Sequence, residues 1–381
     1  MDVESMGVDE DDRMLLADVL RIPEVDASAI RPAAGDAIGT TGRVHRFRLD
    51  GRMLVAKIAD DPVTAERAAR EVAVLSALAG DAAAPLRTLA PRFIGGRVDT
   101  PPVRPRTIVV TEWIDGHHAD PAVGITDDRL HEIAAAMRPA WNLTAHDVRA
   151  AGIDLPTWGV GTAMSEHAGH MTRDDRRAAS AHRRRGDRFR RRAADLRRHH
   201  PDAADRVDRV LREIGDRYEA LAAAAIAAPG RTGGTGSTAH SGRPPRLIHG
   251  DLHLGNVLFT TEPAGGALAG GRDDSDSRVR VIDWQTASLG DPVHDLARFA
   301  LESLRDPTFA SIRAATPHLP DPIDDVTLAR AILLAFAGFV VGLAGRDPSS
   351  LIDADRRLVE RLLVDQTIPV LLHECVDLVA D

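Results

Sequence analysis

The pattern of apolar and polar positions divides the chain at about residue 117. Before that point, GDAIGTTGRVHRFRLDGRMLVAKIAD from Gly35 alternates as a hairpin does. Val44, Phe47 and Leu49 lie in one arm, Asp50-Gly51 forms the turn, and Met53, Leu54 and Val55 lie in the other. Pro62 then opens PVTAERAAREVAVLSALAG, where Val72, Leu75 and Leu78 recur at three-residue spacing up to Gly80. Proline at the start and glycine past the end frame a helix, with Glu71 near its middle. RTIVVTEWIDG, 106–116, predicts a strand running into a Gly-terminated connection. The order is strand, strand, helix, strand. Ahead of it, acidic residues to about 13 and then MLLADVL predict a short helix in a peripheral arm, 1–34.

Beyond residue 117 the pattern predicts mostly helix, with one island of strand. LIHGDLHLGNVLF (247–259) and VRVIDW (279–284) carry apolar runs that read as hairpin strands, and EPAGGALAGGRDDSDSR (262–278) is a flexible insertion at their tip. A second Gly/Ser-rich loop, 228–246, has neither the lysine nor the leading strand of a phosphate-binding GxxxxGK[ST] loop. The longest uncharged run, AILLAFAGFVVGLAG at 331–345, would span about 22 Å as a helix against the ~30 Å of a bilayer core, so it predicts a buried helix.

Length and charge narrow the setting. At 381 residues the chain exceeds a single core, so two lobes are expected. A hydrophobic fraction of 44% and a net charge of −9 give no global reason to expect nucleic acid or an anionic membrane as partner. Cys375 stands alone and no apolar h-region follows MDVESMGVDEDDR, which points to the cytoplasm. The segment 173–200 carries twelve Arg against four Asp and reads first as a solvated helix in an arginine-biased chain. Of the 48 Lys and Arg, one is lysine: Lys57.

The chemistry concentrates in HGDLHLGN. A carboxylate between apolar runs must be paired, bind a metal or react. On the predicted hairpin, Asp283 at the end of the second strand faces Asp251 and Asn256, three hard oxygen donors suited to Mg²⁺. D-x-x-x-x-N followed by a later strand Asp is the arrangement of kinase chemistry: Asp251 for the acceptor hydroxyl, Asn256 and Asp283 for metal. Lys57 on a strand and Glu71 on the next helix supply an ammonium held against nucleotide phosphates. Arginine is a poor substitute there, because its planar fork needs different room than a compact point charge. A transition-metal set of His249, His253 and Asp251 is the competing reading, and nothing else in the chain completes it with nitrogen or sulfur.

HGDLHLGN with IDW, the strand lysine in VAKI and the helix glutamate in AAREVAVL together resemble the aminoglycoside phosphotransferase and choline kinase-like family. VIDWQTASLGDPVHDLARF is more similar to its ecdysteroid kinase-like branch. The resemblance covers roughly residues 35–300 and implies an α+β, bilobal protein-kinase-like fold. Its small antiparallel-sheet nucleotide-binding lobe (35–112) would carry one main helix, and its larger, mostly helical lobe (113–381) the catalytic loop, metal site and acceptor pocket. It implies ATP or GTP with Mg²⁺, Asp251 as catalytic base, Asn256 and Asp283 as metal ligands and Lys57 on the phosphates. The backbone of Glu112, Trp113 and Ile114 would hold adenine, and Asp291 and Asp295 would brace the catalytic loop. The covering loop departs from the G-x-G-x-x-G pattern, leaving Thr40, Thr41 and Gly42 as phosphate-side candidates.

Asp283 runs within eight residues into GDPVHDLARF, leaving no room for a peptide platform, so the acceptor is expected to be a small-molecule hydroxyl. The alternative is a catalytically weak nucleotide-binding pseudoenzyme that docks a partner through 173–200.

Overall fold

An Asp-Gly pair sets the first register. In the computed structural model, Asp50 and Gly51 take positive φ (48° and 78°), the two-residue turn that matches strand twist, and they join β3 (Gly42–Leu49) to β4 (Arg52–Ala59) with Leu49 opposite Arg52. The structure describes residues 10–21, 31–32, 38–39, 42–79, 86–99, 106–156, 175–227, 243–260, 279–351, 353–364 and 367–380. They form two compact units. The first comprises 1–118, 147–155 and 256–287, and the second 119–146, 156–255 and 288–381. The return of 256–287 to the first unit differs from a single boundary at 112/113. Its cause is strand pairing: β7 (Gly116–His117) pairs with β9 (Val257–Thr260), which pairs with β10 (Val279–Val281), and Val281 N–H donates to the Leu89 carbonyl.

The first unit is built on an antiparallel sheet in the order β1-β3-β4-β6-β5, with β1 (Arg31–Pro32), β5 (Phe93–Asp99) and β6 (Arg106–Glu112); β2 (Ile38–Gly39) pairs with β3. Sequence patterning missed β5, because Gly95 and Gly96 interrupt its alternation and a bulge falls between Phe93 and Gly95. These glycines permit close packing. A Cβ on Gly96 would lie 2.9 Å from Val72 Cγ2 of helix α2 (Pro62–Leu78), and one on Gly95 3.1 Å from Val19 Cγ1 of helix α1 (Glu10–Leu20). Helix α2 starts where the proline rule places it: Asp61 caps it by accepting from the N–H groups of Val63 and Thr64, a cap worth about 1 kcal/mol. Gly80 lies outside the described residues.

The expectation of a peripheral arm is overturned. Leu16 of α1 is fully buried in the core formed by Phe47, Leu54, Ala56, Ile58, Ile108 and Val110, and Asp12 is 1% exposed. Burying a leucine is worth about 1.5–3 kcal/mol, so α1 is a constituent of this unit.

The second unit is helical. It contains α3 (Asp127–Asn142), α5 (Asp175–His199), α6 (Pro201–Arg206), α7 (Asp208–Ala227), α8 (Val293–Ser303), α9 (Phe309–Ala315), α10 (Asp325–Phe339), α11 (Asp353–Val364) and α12 (Thr367–Ala380). Helix α4 (Ala145–Ala150) runs from one unit into the other along the chain. A short ladder of β8 (Arg246–Ile248) with β11 (Ser288–Gly290) leads into the loop that begins at His249. The Arg-rich segment is α5, which packs on α7 with Phe189, Ala193 and Leu196 buried at helical spacing and Arg190, Arg192, Arg197 and Arg198 ion-paired to aspartates. By length and composition Asp325–Ala344 could cross a bilayer, yet most of it is buried in the unit, with Leu328, Ile332, Phe336 and Phe339 inside.

Candidate active site

In the first unit, strand alternation separates two faces of β4. Ala56 and Ile58 enter the core against α1, so Lys57 points to the opposite face, in register with Val44 and Val109. Glu71 comes to it from α2. Lys57 Nζ donates to Glu71 Oε1 and Oε2 at 3.0 and 3.1 Å and to Asp283 Oδ1 at 2.6 Å. Burial disfavours the ammonium, but the two carboxylates outweigh it and raise the Lys57 pKa above its ordinary value. The lysine is firmly charged.

Asp283 follows β10 in the left-handed region, φ 66° and ψ 55°. Its Oδ2 accepts from Gln285 Nε2 at 3.0 Å, so both carboxylate oxygens are oriented. The Asn256 carbonyl accepts from Ile282 N–H at 2.9 Å, which sets Asn256 and Asp283 at the same end of the β9/β10 hairpin. Asn256 is itself 5% exposed. An amide and a carboxylate at one end of a hairpin are hard donors that fit Mg²⁺.

Further along β6, Glu112 N–H donates to the Arg92 carbonyl and Trp113 N–H to the Met53 carbonyl, both at 2.9 Å. Ile114 is half-buried. The Trp113 ring is 38% exposed and carries the Arg46 guanidinium 4.8 Å from its centroid. Gly42 starts β3 opposite Gly39, whereas Thr40 and Thr41 lie outside the described residues.

In the second unit, β8 delivers a fully buried His249, then Gly250 at φ 78°, then Asp251. Asp295 of α8 holds this loop: its Oδ2 accepts from His249 N–H (2.7 Å) and Trp141 Nε1 (3.2 Å), and its Oδ1 from Gly250 N–H (2.9 Å). Asp291 serves differently, accepting from Val293 N–H at the start of α8 and from Arg243. His249 Nδ1 accepts from Asp251 N–H at 3.3 Å, and His253 Nδ1 from Gly255 N–H at 3.1 Å. These bonds turn both Nδ1 atoms to backbone. Among the described residues no group of three His, Cys, Asp or Glu is arranged to hold a metal.

Asp251 Oδ1 meets Arg298 Nη1 at 2.7 Å, and Arg298 Nε donates to Glu302 Oε1 at 3.2 Å, with Glu302 only 5% exposed. Partial burial pushes the Asp251 pKa up, but Arg298 overrides it and holds the carboxyl below its ordinary value. The structure thus brings Lys57, Glu71, Asp283 and Asn256 into one unit and places Asp251 with its bracing set in the other. Sequence reasoning did not single out Arg298, Glu302, Trp141 or Gln285. Spacing within ASLGDPVHDLARFALE offered one signal, because Asp295 and Arg298 are three residues apart, and Arg298 and Glu302 four, on one helix face.

The sequence profile of the phosphotransferase enzyme family matches residues 33–331. Among solved structures, the chain is similar to a GDP complex of a point mutant of aminoglycoside 2'-phosphotransferase-IIIa, at 15% identity and a TM-score of 0.50, covering 97% of this chain and 96% of that one. It is also similar to a putative aminoglycoside phosphotransferase from Ralstonia eutropha, at 16% identity and a TM-score of 0.50, covering 93% and 96%. No curated protein matches the chain. The α+β, protein-kinase-like fold expected from the sequence is the fold observed.

Proposed function

Because the chain belongs to the phosphotransferase enzyme family, we propose that it transfers the γ-phosphate of ATP or GTP to a hydroxyl of a small molecule. One observation carries this reading: the chain's one lysine is bonded at once to a helix carboxylate and to the carboxylate that follows β10. A strand ammonium fixed between two such groups is what phosphoryl transfer uses to hold a triphosphate.

The chemistry asks the protein to align an acceptor oxygen and to offset charge on the phosphates. Lys57 does the second, with Glu71 fixing its direction. Asn256 and Asp283 would hold Mg²⁺, which when bound supplies further positive charge to the phosphate oxygens. The N–H groups of Glu112 and Trp113 are taken up within the unit, so a nucleobase edge would meet the amide of Ile114, with Gly42, Thr40 and Thr41 on the phosphate side. Asp251 performs the first task. Its carboxylate, paired with Arg298 through Oδ1 and with His253 Nε2 3.8 Å from Oδ2, accepts the hydroxyl's hydrogen bond and then its proton.

Asp251 must be ionised to act, and Arg298 keeps it so. Its folded pKa is depressed, so the stability it contributes is present above its unfolded pKa and is lost as pH falls through the lower folded value. Replacing Arg298 removes the largest influence that opposes burial, leaving only His253 and His249, and so raises that pKa. The acid limb of kcat/KM for the acceptor is therefore expected to move to higher pH in Arg298→Met. Arg298→Met/Glu302→Leu, which strands no buried glutamate, should show the same displacement. Unmoved acid limbs in both would separate Arg298 from the ionisation of Asp251.

The reading is tested by measuring acceptor-dependent release of ADP and GDP across aminoglycosides, macrolides, sugars, amino alcohols and sterol-like alcohols, with the phosphorylated product identified. Nucleotide binding without turnover on any acceptor class would support a binding role in place of catalysis.

A further inference from the structure

Helix α1 precedes the residues that the family profile matches, yet it is fastened to the first unit by an ion cluster around its buried Asp12. Asp12 receives Arg43 through a forked contact, Nε to Oδ2 at 3.0 Å and Nη2 to Oδ1 at 2.9 Å. It also receives Arg106 Nη2 at 2.6 Å, with His45 Nε2 3.1 Å from its Oδ2. Asp60 closes the cluster from the other side, 2.7 Å from Arg43 Nη1 and 2.9 Å from Arg106 Nε. A fork of this kind fixes direction as well as distance.

The position of Arg43 gives the cluster its interest. Arg43 is paired with Ile38, and the next pair out is Gly42 with Gly39, so the fork grips the β2/β3 ladder one pair from Gly42, the described phosphate-side candidate. Asp60 directly precedes Asp61, the N-cap of the helix that carries Glu71. The cluster therefore ties together the start of the strand behind the phosphate-side loop, the end of the lysine strand and the start of the glutamate helix. A helix that served only to cover apolar surface would need Leu16 and no buried carboxylate, since a buried charge is costly unless it is held by several partners.

We propose that Asp12 is a positioning residue for the nucleotide: through Arg43 and Asp60 it holds the β2/β3 hairpin at the distance from Lys57 that a triphosphate requires. This rests on the reading that the first unit binds a nucleoside triphosphate. Removing the Asp12 charge frees the fork and lets the hairpin shift, and displacements of about 1 Å are expensive at such sites. The loss should fall on the phosphates, because the segment proposed for the nucleobase, Glu112 to Ile114, lies at the other end of β6 from Arg106.

The test is calorimetric binding of a non-hydrolysable ATP analogue with Mg²⁺, and separately of adenosine, to the full chain and to Asp12→Asn, alongside melting temperatures. Affinity for the triphosphate is expected to fall on the order of tenfold while affinity for adenosine holds, with Asp12→Glu recovering part of the loss. A lowered melting temperature with unchanged triphosphate affinity would overturn the proposal and leave the cluster as a fastening of α1. An equal loss for both ligands would overturn it as well. If Asp12→Asn does not fold, Arg43→Lys reads the same quantity, because it keeps a cation beside Asp12 and gives up the fork. A wild-type chain that binds neither ligand would sink the phosphotransferase reading itself, which is a different failure.

Discussion

Asp251→Asn is expected to lower kcat by about 10²–10⁴, the range for removing a positioned general base, while nucleotide affinity stays within about twofold. The substitution keeps shape and hydrogen-bonding reach but ends the ability to take a proton. It also removes the charge that answers Arg298, whose other partner, Glu302, remains. The contrast is Asp283→Asn. That residue accepts from Lys57 at 2.6 Å and is assigned to Mg²⁺, so its loss should weaken binding of the Mg²⁺-nucleotide. Binding titrations beside steady-state kinetics decide between them: equal loss of nucleotide affinity in both variants would end the division of roles.

Lys57→Arg should keep the fold and the net charge yet lose activity on the order of 10²-fold. The ammonium sits within 3.1 Å of three carboxylate oxygens, a fit for a compact donor set. A guanidinium reaching the same oxygens is longer and planar, so it would extend into the space of the phosphates. The chain uses arginine at every other cationic position, which makes this substitution a sharp question. If kcat/KM for the nucleotide is unchanged in Lys57→Arg, the lysine is incidental and the functional reading loses its main support.

Much of this was legible because it is local. Asp50-Gly51 demands a turn with positive φ, Pro62 opens a helix, and alternation puts Lys57 on the face opposite Ala56 and Ile58; each follows from a few neighbouring residues. What escaped depends on partners distant in sequence. The polar opening of α1 concealed that Asp12 is buried, because its partners Arg43 and Arg106 come 31 and 94 residues later. Strand β5 was hidden by Gly95 and Gly96, whose purpose is packing against α1 and α2. Arg298 was hidden by abundance, since one arginine among so many attracts no attention until its carboxylate is seen. Trp141, 154 residues from Asp295, gave no sign that its indole would hold that aspartate.

The backbone of Asp283 has a consequence for how such a protein can decay. At φ 66° and ψ 55° it occupies a conformation that glycine, asparagine and aspartate enter readily and other residues enter at a cost of roughly 1–2 kcal/mol. Under relaxed selection, the changes that conformational strain opposes least at this position are those to asparagine or glycine, and both remove the carboxylate. A descendant that drifted this way would escape the backbone strain while losing the carboxylate proposed as a metal ligand, so intact folding in a lineage of this architecture is no guarantee of retained catalysis.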